Sequence, residues 1–141
     1  VVHCPTSNMF IGSGLFDLMG LAQAKVGLGL ASDIGGGSNF SMLRTMAAAY
    51  EVAQLRGMAA HPAQLMWLAS EGSAKTLHLQ GKVGHLGAGA EADLCVLNLN
   101  STHAIDQRGR NASNFWEVLF PTIMMGDDRA VRQVWVAGQP L

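Results

Sequence analysis

Two short apolar stretches, each followed by a helical pattern, constrain the fold of this chain most. The stretches "VVHC" (residues 1–4) and "KVGLGLA" (residues 25–31) predict strands, and residues 15–24 and 38–57 carry the apolar spacing of helices. Alternating strands and helices predict parallel strands with helices outside them, in an open doubly wound sheet or in part of a (β/α)8 barrel. In both architectures, functional groups gather at the carboxyl ends of the strands.

The rest of the first 80 residues fits the same α/β pattern. Residues 5–14 are rich in Pro, Ser, Asn and Gly, which predicts a loop after the first strand. Residues 61–79 predict a further helix, with Pro62 near its first position. We therefore expect residues 1–80 to form one α/β unit.

The pattern changes at residue 81. Residues 81–100 begin with a glycine-rich lead and end in strand-like alternation, and residues 130–141 predict a strand and a turn. Residues 106–129 carry no pattern that assigns a structure. We therefore expect residues 81–141 to be mostly β.

The composition indicates that the chain packs against polypeptide outside this sequence. Charged residues make up 13% of the chain and the mean hydropathy is +0.21, whereas about 25% charged residues is usual in a soluble domain. The chain also starts at Val1 inside an apolar run. We expect a missing N-terminal half of the fold or self-association, and a homo-oligomer, to cover the apolar surface.

Several classes of function are disfavoured by the sequence. The most apolar stretch, residues 15–31, is interrupted by polar side chains, so no membrane span is expected. The net charge is −1 and the nine basic residues are scattered, so no nucleic-acid partner is expected. Cys4 and Cys95 are 91 positions apart and form no disulfide or metal motif, which favours a reducing, cytoplasmic setting.

Asp33 and His3 are the candidate functional residues, because each lies at the carboxyl end of a predicted strand. The alternative is that Asp33 is a turn residue before glycines and His3 a buried core histidine. No phosphate-loop motif accompanies the glycines, and the other four histidines have no ligand spacing. A zinc site needs three or four ligands, and no HxH, HExxH or second carboxylate lies near Asp33. Most of any such site must come from elsewhere.

Four ordered motifs resemble one enzyme family. These are "HCPTSN" (3–8), "SDIGGGSNFSMLRTM" (32–46), "GHLGAGAEADLCVLN" (84–98) and "GDDRAVRQVWVAGQ" (126–139), with thirty positions from His3 to Asp33. They closely resemble the C-terminal part of guanine deaminases of the amidohydrolase superfamily. The one small departure is Ser32, where the family usually has Thr before the aspartate.

The resemblance implies a fold. Residues 1–80 would be the last two βα units of a (β/α)8 TIM barrel of a metal-dependent hydrolase. Residues 81–141 would be the C-terminal β-rich part of a small β-sandwich domain.

The resemblance also implies a chemistry, the deamination of guanine to xanthine and ammonia in purine catabolism. Asp33 matches the aspartate that ligates the single catalytic zinc and takes a proton from water. His3, Ser7 and Asn8 match a motif that shapes the substrate pocket. The HxH pair, the other zinc histidine and a proton-shuttling glutamate are absent, so this chain is not expected to catalyse the reaction alone.

Other functions stay open at this point. Short cytidine-deaminase-type guanine deaminases are about this length, but their H-x-E and PCxxC motifs are absent. A related amidohydrolase could deaminate another aminopurine or a triazine, which guanine turnover would distinguish. A non-catalytic fragment that assembles with itself would form folded oligomers without stoichiometric zinc.

Overall fold

Short strands and longer helices alternate along the chain. The computed structural model describes all residues, 1–141. The helices are α1 (Pro5–Ile11), α2 (Leu18–Gln23), α3 (Met42–Leu55), α4 (Pro62–Trp67), α5 (Ser73–Thr76), α6 (His103–Gly109) and α7 (Phe115–Met125). The strands are β1 (Val2–His3), β2 (Gly29–Leu30), β3 (Leu94–Leu97), β4 (Val131–Val136) and β5 (Gln139–Pro140). A π-helical turn (Leu68–Gly72) joins α4 to α5, and a 3-10 turn (Asp128–Ala130) precedes β4. None of the helices combines the length and the apolar character needed to cross a bilayer.

The strands form two separate sheets. Strands β1 and β2 pair in parallel, with His3 opposite Leu30, and the Ala31 amide donates to the His3 carbonyl at 3.1 Å. The parallel pairing predicted from the strand and helix order is therefore confirmed. The second sheet is antiparallel in the order β3-β4-β5, with an irregularity in the ladder between Val96 and Leu97.

One serine fixes the helical segment after α4 to strand β2. The Ser73 hydroxyl accepts a hydrogen bond from the Leu30 amide at 3.0 Å and lies 3.0 Å from the Leu30 carbonyl oxygen and 2.8 Å from that of Leu68. The approach is close because Gly29 has no side chain: a Cβ there would lie 2.8 Å from the Ser73 Cα. Strand β2 is thereby fixed against the helical layer.

The hydrophobic core lies between the strands and helices α3, α4 and α7. Its buried members come from both halves of the chain, because α7 packs along α3. The members are Leu18, Leu28, Leu30, Leu43, Met46, Ala49, Ala53, Ala60, Leu65, Leu68, Leu119, Ile123 and Ala130.

The prediction of a loop over residues 5–14 is wrong for residues 5–11. Residues 5–11 form α1, which has Pro5 in its first turn and ends at Gly12 in the left-handed region (φ +73°). Proline is also favoured at the first position of a helix and glycine just past its end, which are the places of Pro5 and Gly12 in α1. Pro62 does begin α4 as predicted.

The expectation that residues 81–141 are mostly β is also wrong, because α6 and α7 lie in the stretch without an assigned pattern. The start of α7 is fixed by a reciprocal cap: the Asn114 side-chain oxygen accepts from the Glu117 amide at 3.1 Å, and the Glu117 carboxylate accepts from the Ser113 amide at 2.7 Å. Helix α7 continues through Pro121, a residue that normally indicates a break.

Candidate active site

The carboxyl ends of β1 and β2 bring two side chains together. Helix α1 begins just after β1 and carries Ser7 over the strand ends, and Asp33 follows β2 by three residues. The Ser7 hydroxyl donates a hydrogen bond to Asp33 Oδ2 at 2.7 Å, across 26 residues of sequence. The structure thus joins two of the four predicted site residues.

The backbone of Asp33 has a conformation that is rare for a side chain with a Cβ. Its φ is +50°, in the left-handed region that aspartate tolerates better than most residues. Its carbonyl oxygen accepts hydrogen bonds from the amides of Gly36, at 3.0 Å, and Gly37. Such a conformation costs about 1–3 kcal/mol and is concentrated at functional sites. The tight turn holds the Asp33 backbone at the strand end.

Gly36 leaves space beside the Ser7 and Asp33 pair. A Cβ on Gly36 would lie 3.0 Å from Asp33 Oδ2 and 3.0 Å from Ser7 Oγ. A larger residue would therefore press on the hydrogen bond itself. The glycine run after Asp33 thus has a steric role at the site.

Cys4 lies in the electrostatic field of Asp33. Burial of the half-buried thiol, and then the negative charge of Asp33, raise the pKa of Cys4 above its ordinary value. The thiol is therefore held neutral, which is unlike the thiolate of a nucleophilic cysteine.

His3 is buried and forms no hydrogen bond with the Asp33 carboxylate. Its side chain is 2% exposed, its ring stacks on Phe16 with centroids 4.2 Å apart and planes 9° apart, and its Nδ1 has no hydrogen-bond partner. Burial lowers the pKa of His3 from 6.5 to about 4, so the imidazole is neutral at pH 7. The structure does not join His3 to Asp33 by any hydrogen bond.

The backbone of Asn8 helps to end helix α1. Its carbonyl oxygen accepts hydrogen bonds from the amides of Gly12 and Ser13 at the end of α1. The side chain makes no hydrogen bond to Ser7 or Asp33.

The chain supplies one potential metal ligand at this site. Asp33 Oδ1 accepts no hydrogen bond from the protein, so one carboxylate oxygen is free for a ligand. No group of three or more His, Cys, Asp or Glu side chains is placed to hold a metal ion. The residues present fit one ligand of a zinc site and not a complete one, since zinc requires about four.

Sequence reasoning missed three residues at the site. Gly36 could have been found from the glycine run that follows Asp33, because a carboxylate in a tight turn needs small neighbours. Phe16 and Cys4 gave no signal, since their contacts depend on how α1 folds back over the strand ends.

The whole sequence matches one family model. The model is that of the Amidohydrolase family, and the match spans residues 1–141. The chain belongs to the amidohydrolase family. The hydrogen-bonded pair of Ser7 and Asp33 therefore lies inside the matched part of an amidohydrolase.

This amidohydrolase chain is similar to guanine deaminase from Escherichia coli strain K12. The two sequences are 38% identical over 139 residues, which is 99% of this chain and 32% of the relative. The solved structure of E. coli guanine deaminase matches with a TM-score of 0.95, over 99% of this chain and 33% of that one. The chain has the mixed α/β fold of these amidohydrolases and spans about a third of the length of the relatives it matches.

Two further solved structures similar to this amidohydrolase contain ligands. Guanine deaminase from C. acetobutylicum, with bound guanine in the active site, matches at a TM-score of 0.83 and 26% identity over 99% of this chain and 33% of that one. An adenosine deaminase from Xanthomonas campestris with bound zinc matches at 0.81 and 25% identity over 99% of this chain and 31% of that one. Zinc and a purine base are thus ligands of proteins that share this fold.

Proposed function

We propose that this chain is the C-terminal part of a guanine deaminase, which hydrolyses guanine to xanthine and ammonia. The single observation that carries the proposal is the free carboxylate oxygen of Asp33 at the end of β2, in a chain 38% identical to E. coli guanine deaminase over nearly its whole length. The bound guanine in the C. acetobutylicum enzyme supports a purine base as the substrate.

The proposed architecture is a partial barrel with a β-sheet segment attached. Residues 1–80 would be the last two βα units of a (β/α)8 barrel, which the parallel pairing of β1 and β2 supports. Residues 81–141 would contribute to a small β-sandwich, which the antiparallel sheet β3-β4-β5 supports. The remaining barrel strands would come from polypeptide outside this chain.

Asp33 is the proposed zinc ligand and proton acceptor. Zinc, when bound, would lower the pKa of a bound water from far above neutral to about 7. Asp33 would hold the metal and accept the proton of the attacking water through its carboxylate, of which Oδ2 is hydrogen-bonded to Ser7 and Oδ1 is free. The other ligands, and the group that protonates the purine ring, lie outside this chain. The assignment of His3, Ser7 and Asn8 to the substrate pocket stays a prediction.

The proposed setting is a reducing compartment such as the cytoplasm, with the complete protein assembled as a homo-oligomer. Both cysteines are free, and Cys95 is exposed. Free exposed thiols persist where disulfides are kept reduced.

Substitution of Asp33 in the complete polypeptide tests the proposed function. Asp33→Ala should remove zinc and guanine turnover together, because the metal loses a ligand and the water loses its proton acceptor. Asp33→Asn should also lose turnover, because a neutral carboxamide, unlike a carboxylate, is not a base that can take up the proton. Xanthine and ammonia formation and bound zinc are measured for each variant. Normal turnover in Asp33→Asn would refute the assigned role.

Ammonia release by the unsubstituted complete polypeptide tests the proposed substrate. The polypeptide should release ammonia from guanine faster than from another aminopurine or an aminotriazine supplied at the same concentration. A protein that turns over one of those and not guanine would refute the substrate while leaving the hydrolytic class in place.

A further inference from the structure

We propose that Ser7 is a positioning residue for Asp33 rather than a contact for the substrate. Its hydroxyl holds Oδ2 of the carboxylate and thereby presents Oδ1 outward. The inference rests on the proposed function only for the role of Asp33, and it changes the expected role of Ser7.

The inventory of hydrogen bonds supports this assignment. A serine hydroxyl has one proton, and Ser7 donates it to Asp33 Oδ2 at 2.7 Å. The Ser7 side chain is 1% exposed, so the hydroxyl is closed to a planar base the size of guanine. A hydrogen bond to an ionised carboxylate is about twice as strong as one between neutral groups. The proton of Ser7 is therefore committed to Asp33.

The other restraints on Asp33 act on its backbone and leave its carboxylate free to rotate. The turn to Gly36 fixes the main chain, but the side chain forms no salt bridge and accepts a single hydrogen bond. Ser7 itself belongs to the framework, because it is buried in the first turn of α1 beside Pro5 and Thr6. The one contact between carboxylate and framework therefore sets the direction of Oδ1.

Loss of the Ser7 hydrogen bond should affect the metal affinity and the rate of the chemical step. Partners that hydrogen-bond a ligating carboxylate typically change metal affinity or activity by about 10–100-fold when removed. A positioning role lowers kcat, whereas a lost substrate contact present in both ground and transition states raises KM with kcat unchanged. The two roles of Ser7 thus differ in a measurable way.

The test compares Ser7→Ala with the parent in the complete polypeptide. We expect zinc affinity, from competition with a chelator, to fall about 10–100-fold, kcat for guanine to fall similarly, and KM to stay within about twofold. Ser7→Cys keeps the size and a weak donor and should recover part of both losses. The matched control is Thr6→Val, which removes a neighbouring buried hydroxyl whose one hydrogen bond is a long one to the Ser32 carbonyl at 3.5 Å. It should behave as the parent.

The outcomes separate this inference from the proposed function. A rise in KM with zinc affinity and kcat unchanged would overturn the inference and restore Ser7 to the substrate pocket. No change in any of the three would overturn it with guanine deamination intact. A parent that binds zinc but does not turn over guanine would refute the proposed function, and weaker zinc binding by Ser7→Ala would still support the inference. A parent that binds no zinc would refute both.

Discussion

At the scale of single residues, burial distinguishes the two candidate side chains at the carboxyl ends of the strands, Asp33 and His3. Asp33 is exposed and hydrogen-bonded at one oxygen, whereas His3 is buried against Phe16 with an unpartnered Nδ1. A buried imidazole binds a proton less tightly than the same group in the unfolded chain. Acid therefore favours the unfolded state and lowers the free energy of unfolding. His3 is thus a pH-dependent weakness in the core.

Removing that weakness should flatten the acid dependence of stability. His3 binds a proton with a pKa near 6.5 in the unfolded chain and about 4 in the folded one, so the unfolded state binds more protons between these values. Stability therefore falls as the pH drops from 6.5 toward 4, by up to about 3 kcal/mol below pH 4. His3→Phe keeps a flat ring on Phe16 and cannot titrate. When the pH is lowered from 7.5 to 4.5, the Tm of the complete polypeptide carrying His3→Phe should thus fall less than the Tm of the unsubstituted polypeptide.

The same variant tests the predicted place of His3 in the substrate pocket. An equal loss of Tm in parent and variant would contradict the burial argument. A raised KM for guanine in His3→Phe, at unchanged zinc content, would support a substrate contact.

The part of the site that could be predicted from the sequence is the part that follows strand order. Asp33 was placed at a strand end from the alternation before it and the glycines after it. Its hydrogen bond to Ser7 could not be predicted, because the partners are 26 residues apart and Ser7 lies on a helix whose first turn resembles a loop.

At the scale of elements, a few close backbone approaches fix the strands against the helices. Strand β2 has two residues, too few for a stable ladder by itself, and the Ser73 hydroxyl bonds to its backbone. Gly29 permits this approach. Alternating glycines in a strand, such as Gly27 and Gly29, are typical of a close backbone approach, but the sequence does not identify Ser73, which lies 44 residues from Gly29.

Filling that space should destabilise the fold. In Gly29→Ala the new Cβ would lie 2.8 Å from the Ser73 backbone, so the helix or the strand must shift, at a cost of about 1–3 kcal/mol. The control is Gly27→Ala, whose Cβ would have Thr76 Oγ1 at 3.9 Å as its nearest atom and should change stability by less than about 0.5 kcal/mol. Urea unfolding of the complete polypeptide measures the free energy of unfolding of each variant. Equal midpoints for the two variants would contradict the assigned role of Gly29.

The helices of the second half were missed for an identifiable reason. Proline normally breaks a helix, and α7 contains Pro121. Its apolar residues also lie on nearly all sides, so the sequence has no apolar stripe typical of an amphipathic helix. The N-x-x-E spacing of Asn114 and Glu117 is a helix-start signal that sequence reasoning did not use. Packing of α7 on α3, in which Leu119 and Ile123 join the common core, outweighs the cost of the proline.

At the scale of the whole molecule, the surface is more apolar than an isolated domain needs. Large apolar side chains are exposed, among them Phe10 at 71%, Phe40 at 79% and Leu86 at 85%. The sheet of β1 and β2 has no further strand on either side. Apolar surface beside open strand edges indicates contact with other polypeptide, in line with the low charge content.

This surface and the single ligand lead to a prediction about zinc. On its own, the 141-residue chain should hold far less than one zinc, because Asp33 is one ligand where about four are needed. The complete polypeptide should hold one zinc per chain and lose it in Asp33→Ala. Denatured mass, native mass and zinc content measured on the same samples decide this. A native mass that is a multiple of 14.9 kDa, with no bound zinc, would show that the isolated chain covers its apolar surface with copies of itself.

One zinc per isolated chain would contradict the prediction. If Asp33→Ala abolished that zinc and the native mass were a multiple of the chain, copies of the chain would have to complete the site between them. The missing ligands would then come from the chain's own histidines and not from polypeptide outside it.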